Sequence, residues 1–230
     1  MENIFGSIFI FFAYIFGGIP TAYIIAKRIA NLNILHVGSG NSGASNLMFQ
    51  TNFFVGISAG AIDAFVKGFF PIFFAKFLFP NQPVLYYAVG IILLLGHNWS
   101  PYIKFRGGRG IAIFIGILLG LGWFELVLFL IFLQGLNCLL SFSISKTLFE
   151  PSLWIMIWFI YLFLTVLSGG YGSGEILFIS IVFSLIIIKR LLANFEQFSK
   201  DQSYYKVLFF RFLLDRDVLN KNLWLDRKNF

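Results

Sequence analysis

The sequence predicts an all-α integral membrane protein with about seven transmembrane helices. Of its 230 residues, 59% are hydrophobic and only 12% charged, and the mean hydropathy is +0.86. The apolar residues fall in runs long enough to cross a bilayer, and the polar and basic residues collect in the short segments between them. The single cysteine, Cys138, excludes an internal disulfide framework and a multi-cysteine metal site, and reads as a small buried apolar residue. The 32 phenylalanines carry no individually assignable roles. Nothing in the composition calls for a metal or another cofactor.

Spans are expected near residues 5–26, 53–75, 83–96, 110–121, 122–140, 151–168 and 174–192. The first starts without a basic n-region or a small-residue cleavage site, so it reads as a retained helix rather than a signal peptide. Pro20, near its end, frees a backbone carbonyl that a neighbouring helix or water must satisfy. The second span holds Asp63 and Lys67, four residues apart and so on one helix face. Ionisable groups at membrane depth face a bundle interior or a watery cavity. The two therefore read either as an ion pair orienting the helix or with Lys67 lending positive potential to an anion site. Residues 110–140 read as one long kinked helix or as a hairpin at Gly120-Leu121-Gly122.

Seven spans with the N-terminus outside place Lys27, Arg28, Lys104, Arg106, Arg109, Lys146, Lys189, Arg190 and the basic residues of the tail inside, 15 of the 17. The motif loops and the C-terminus are then cytoplasmic. The net charge of +7 on that face suits anionic lipids and anionic substrates. Short juxtamembrane loops are a poor surface for nucleic acid, so no nucleic-acid partner is expected. The membrane domain is placed at 1–196 and a cytoplasmic tail at 197–230. Within that tail, Val207 to Leu214 is apolar but too short to span, and Arg211, Asp215, Arg216 and Asp217 surround it. It reads as an interfacial helix on the inner leaflet, the alternative being a docking surface for another membrane enzyme.

Two polar loops carry the candidate chemistry. Gly38-Ser39-Gly40-Asn41-Ser42-Gly43-Ala44-Ser45-Asn46 contains no long side chain. Its glycines allow positive φ and close approach of a ligand to main-chain amides, while Ser39, Asn41, Ser45 and Asn46 add neutral hydrogen-bond groups. Such a loop suits an oxyanion; the alternative is a flexible linker of small residues. Gly38, Gly40 and Gly43 fit a dinucleotide spacing, but no βαβ unit surrounds them, and Ala44 stands where a P-loop needs lysine.

The second loop, Gly96 to Gly110, sets Lys104, Arg106 and Arg109 among Gly107, Gly108 and Gly110 just before a new span. Amides at that helix N-terminus favour an anion, and Arg109 is suited to grip phosphate oxygens bidentately. The alternative is a set of positive-inside residues that hold topology. His97 is a candidate general base or oxyanion donor, or a plain interfacial hydrogen-bonder.

Taken in order, Ile19-Pro20-Thr21 with Tyr23 to Lys27, the 38–46 loop, Asp63-x-x-x-Lys67-Gly68 and Gly96-His97 through Gly107-Gly108-Arg109-Gly110 resemble the PlsY family over roughly residues 1–196. Arg190-Leu191-Leu192 followed by Glu196 is similar to the end of that family's third motif. PlsY is the bacterial glycerol-3-phosphate acyltransferase that uses acyl phosphate. The resemblance implies an acyl-phosphate-dependent glycerol-3-phosphate 1-O-acyltransferase in the bacterial inner membrane, multi-pass and N-out. It would move a fatty acyl group to the sn-1 hydroxyl, giving lysophosphatidic acid and phosphate for phospholipid synthesis. Membrane lipids and other phospholipid-synthesis enzymes are its implied neighbours.

On that resemblance the acyl phosphate head group falls to Gly38, Ser39, Gly40 and Asn41. The acceptor phosphate falls to Lys104 and Arg109, with Gly43, Ser45, Asn46, Gly107 and Gly108 lining the site. His97 assists with Ser39 and Asn41, and Asp63, Lys67 and Glu196 support. Ser141, in the polar Ser141-Phe142-Ser143 turn, resembles a family serine near the acceptor. Ser39 is not expected to be a covalent nucleophile, since no base lies near it in sequence.

The chain departs from the family pattern at Asn33, Leu35 and Phe49, where charged residues are usual, and at Ser184, Leu185 and Ile187, where a His-Arg pair and an Asn are usual. Asn194 replaces a glycine and Arg109 a lysine. The second reading is therefore a non-catalytic relative that binds acyl phosphate or lipid and regulates or scaffolds lipid synthesis. A transporter built around Asp63 and Lys67 lacks the expected paired halves.

Overall fold

The computed structural model describes residues 2–143, 151–195 and 203–219, and they form a helical bundle. The first apolar stretch is two helices, α1 (Glu2–Gly17) and α2 (Thr21–Ala30), broken before Thr21. The break is satisfied as Pro20 requires. Ile19 N donates to Phe16 O at 3.2 Å, Ser100 Oγ donates to Gly18 O at 2.5 Å, and Lys67 Nζ donates to Ile19 O at 2.7 Å. A short helix, α3 (Ala44–Gln50), follows the glycine loop.

The second stretch runs as α4 (Phe53–Ala61), a π-helical segment Ile62–Phe69 and α5 (Phe70–Leu78). Beyond it come α6 (Pro83–Asn98), α7 (Ile111–Leu121), α8 (Phe124–Ser143), α9 (Pro151–Ser168) and α10 (Ser173–Leu192). Residues 110–140 are two helices rather than one, because Gly122 takes φ 92° and ends α7. Ser141 lies in the last turn of α8 and not in a polar turn, the apolar run before it carrying the helix through to Ser143. The side chains of Ser141 and Cys138, and the whole of Lys146 and Glu196, lie outside the described residues.

Small residues set the closest helix crossings. A Cβ on Gly68 would meet the Ile113 carbonyl, and one on Gly116 would meet that of Ala64. This clamps α7 against the π-helical segment. Gly17 against Leu93 and Gly96 against Tyr14 do the same for α1 and α6. The core between α7, α9 and α10 is aromatic. Phe114 stacks on Phe159 with centroids 5.5 Å apart, Phe178 packs beside Phe114, and buried Trp158 donates Nε1–H to Leu126 O at 3.0 Å. Phe11, Phe12, Phe54, Phe73 and Phe77 instead point outward. That apolar exterior suits lipid rather than water. Ile4–Ala30 and Phe53–Leu78 are each long and apolar enough to cross a membrane.

α7 has only 11 residues, about 16 Å of rise, well short of a bilayer core. In the loop before it, Gly107, Gly108 and Gly110 are buried in protein. The tail adds α11 (Tyr204–Leu214), which packs on α9 and α10 through buried Val207 and Arg211 while Tyr204, Tyr205 and Phe209 stay exposed.

Candidate functional site

The 38–46 loop is pinned by its own sequence. Asn46 accepts from Ser39 N at 3.2 Å and donates to Ile34 O, Val37 O and Asn41 O at 3.0–3.1 Å. Gly38 and Gly40 take φ 56° and 65°, the left-handed values only glycine adopts cheaply. Gly43 does not, standing at φ −101° as the N-cap of α3. Asn46 was expected to face ligand, but its amide is fully used on the loop's own main chain. Ser45 is exposed, Ser39 is half-buried, and Asn41 is buried.

One side chain ties this loop to the second one. Asn194, in the left-handed region at φ 57°, accepts from Gly107 N at 3.1 Å. It donates to Gly107 O at 3.1 Å, Gly40 O at 3.2 Å and the Asn41 amide at 2.7 Å. Asn tolerates that conformation better than other side chains, so it keeps the backbone shape of a glycine and adds four hydrogen bonds. The Asn41 amide sits between two donors. Its oxygen accepts from Asn194 Nδ2 or, turned over, from Arg109 Nε at 3.2 Å and Nη2 at 3.1 Å.

Arg109 is thus brought beside the glycine loop. Its Nη1 donates to Lys189 O at 2.7 Å and its Nε pairs with Asp215 Oδ1 at 2.6 Å. The Nε–Nη2 edge suited to a bidentate phosphate grip faces the Asn41 amide, with the Asp215 carboxylate beside Nε as an ion-pair partner. Lys104 is exposed in a left-handed turn and has no ion-pair partner among the described residues.

Behind Gly107 and Gly108 lies a buried polar cluster. Asp63 and Lys67 pair at 2.8 Å, as their spacing suggests, and Thr21 donates to the same carboxylate at 2.8 Å. The third Lys67 contact is His97 Nδ1 at 3.3 Å, so all three ammonium hydrogens have partners. Lys67 therefore acts on an anion only through its field. With Nδ1 accepting from Lys67, the neutral imidazole carries its proton on Nε2. A Cβ on Gly108 would strike that Nε2, so the ring edge lies directly against the loop backbone.

Sequence reading missed how the end of α10 is used. Lys189 and Arg190 are fully buried instead of facing lipid head groups as positive-inside residues. Lys189 Nζ donates to Asn98 O and lies 5.0 Å over the Trp99 ring, while Arg190 donates to Phe212 O and Ser152 O. A cation pair closing an apolar helix gives no sign of which carbonyls it will meet.

An apolar groove of about 740 Å³ lies between α1 and the π-helical segment with α5, lined by Phe9, Phe12, Phe16, Phe70 and Phe74 and also by Ile19, whose carbonyl holds Lys67.

A model of the glycerol-3-phosphate acyltransferase family matches residues 7–201. The glycerol-3-phosphate acyltransferase of Thermotoga petrophila is 34% identical over 188 residues, covering 80% of this chain and 91% of its own. That of Endomicrobium trichonymphae is 34% identical over 194 residues, covering 83% and 90%. Among solved structures, PlsY, an integral membrane glycerol 3-phosphate acyltransferase in its glycerol 3-phosphate form, superposes with TM-score 0.68 at 26% identity, covering 89% of this chain and 98% of that one. The chain is a membrane protein and belongs to the glycerol-3-phosphate acyltransferase family.

Proposed function

We propose that the chain transfers a fatty acyl group from acyl phosphate to the sn-1 hydroxyl of glycerol 3-phosphate, giving lysophosphatidic acid and inorganic phosphate. The observation that carries this reading is the Asn194 junction, which holds the oxyanion-suited loop at 38–46 and the Arg109 guanidinium side by side. The donor's phosphate lies on the loop around Ser39, Gly40 and Asn41, and its chain in the groove along α1. The acceptor's phosphate meets Arg109, with Lys104 adding charge from the rim.

The hydroxyl oxygen attacks the acyl carbon, the bond from that carbon to the phosphate oxygen breaks, and the departing phosphate takes the hydroxyl proton. His97, with Nδ1 held by Lys67, suits the role of Nε2–H donor to the developing oxyanion better than that of base. Alignment and charge stabilisation are then the protein's work, without a covalent intermediate.

Seven spans with cytoplasmic motif loops, in a bacterial inner membrane, complete the proposal. The meeting of both loops with Asn194, just beyond α10, supports the odd count, because an even number of spans would place the chain after α10 on the side opposite to them. Exposed Tyr204, Tyr205 and Phe209 suit the inner-leaflet interface.

The test is lysophosphatidic acid formation by purified protein from palmitoyl phosphate and glycerol 3-phosphate. Ser39→Ala and Asn41→Ala should abolish it without affecting insertion, and full activity in either removes the assignment. The second reading, a non-catalytic lipid-synthesis regulator, draws on the commitment of Lys189 and Arg190 to protein carbonyls. Binding of palmitoyl phosphate without product would favour it.

A further inference from the structure

We propose that Asp215, in the C-terminal tail, is a positioning residue that fixes Arg109 for the acceptor's phosphate, so that the tail forms one wall of the site. This rests on the reading of Arg109 as a phosphate-binding residue. The family match ends at residue 201, before the tail helix begins.

The tail is docked by buried charge, not by loose apolar contact. Arg211, 2% exposed, pairs with both oxygens of Asp217 at 2.6 and 3.0 Å and donates to Leu191 O at 2.9 Å. Arg190 donates to Phe212 O at 2.9 Å, and Val207 is buried. Asp215 then ends α11 in the left-handed conformation, φ 55°, with its N–H on Arg211 O. The turn carries its carboxylate to the Arg109 Nε at 2.6 Å. The side chains of Arg109 and Asp215 are only 10% and 19% exposed, so this is not a solvated surface pair.

Lys189 O holds Nη1 by a hydrogen bond, and the Asp215 carboxylate, 2.6 Å from Nε, holds the guanidinium by charge. The Nε–Nη2 edge faces Asn41 and the glycine loop. A long flexible side chain is thereby preorganised where a phosphate oxygen is to bind. A carboxylate beside a phosphate-binding cation could instead compete with the substrate, and the two roles have opposite signs in the Michaelis constant.

The experiment is steady-state kinetics and equilibrium glycerol 3-phosphate binding on the full chain carrying Asp215→Asn, Asp215→Glu, Arg109→Ala and the Arg109→Ala/Asp215→Asn pair. Asp215→Asn should raise KM and the dissociation constant for glycerol 3-phosphate roughly tenfold, with kcat changed by less than about threefold. Asp215→Glu, which keeps the charge, should recover most of that loss. In the Arg109→Ala background Asp215→Asn should change neither constant beyond about twofold, because the residue acts only through Arg109. An unchanged or lowered KM in Asp215→Asn, or an equal loss in both backgrounds, overturns the proposal. Binding reads the inference even if wild-type protein makes no lysophosphatidic acid, an outcome that would sink the proposed reaction alone.

Discussion

The glycine loop at 38–46 and the cationic end formed by Arg109, Lys189 and Arg190 face each other across Asn194 but are built in opposite ways. The glycine loop is braced from within, and Asn194 only joins its outer edge. Asn46 bonds only to residues between Ile34 and Asn41, and the left-handed glycines are neighbours in sequence. The cationic end is satisfied only by distant segments. Arg109 finds Lys189 O 80 positions away and a tail carboxylate, and Lys189 finds Asn98 O 91 positions away. The loop's brace comes from residues within about a dozen positions, whereas the cations are placed only once the whole bundle and the tail have assembled.

The largest effect is expected at the buried cation behind both regions. Lys67→Met leaves Asp63 buried with Thr21 and the His97 ring and no cation paired to it, and should cost about 3–5 kcal/mol, read as a lowered midpoint of thermal inactivation in detergent. Asn46→Ala, the local counterpart, should cost about 2–3 kcal/mol for its several bonds and abolish turnover, while Ser45→Ala at an exposed position should stay within about twofold of wild type. Equal effects at 45 and 46 would show that the loop is not held by its own amide.

Asn194→Gly keeps the left-handed backbone and Asn194→Ala does not, so alanine should be the less stable by about 1 kcal/mol, with both variants slower than wild type. Arg109→Lys keeps charge but loses the clamp, and a rise of roughly five- to tenfold in KM for glycerol 3-phosphate is expected. The smallest effect belongs to exposed Lys104. Alanine there should raise KM about two- to threefold at low salt, and the difference should fade at high ionic strength.

The same contrast decides what could be read from the sequence. The Asp63–Lys67 pair was legible because four residues along a helix bring side chains to one face. The positive φ of Gly38 and Gly40 was legible because only glycine makes it cheap. Asn46 was misjudged because its chemistry as ligand donor and as loop brace is the same, and only the fold decides between them. Asp215 gave no signal at all, since nothing in a tail of alternating charges names a partner beyond α10. The helical stretches were readable from hydropathy, and the break at Gly122 was one of the two readings open for 110–140, but the π-helical turn, packed at Ala64 and Gly68 against α7, gave no signal.

The central claim is that the glycine loop and Arg109 form one phosphate-binding site through Asn194. An experimental structure with glycerol 3-phosphate bound tests it most directly. The expected result is the ligand's phosphate within hydrogen-bond reach of Arg109, its sn-1 hydroxyl turned toward Ser39 and Asn41, and the Asp215 contact retained. A phosphate held out of reach of both Arg109 and the loop, by cations elsewhere on the bundle, would contradict it.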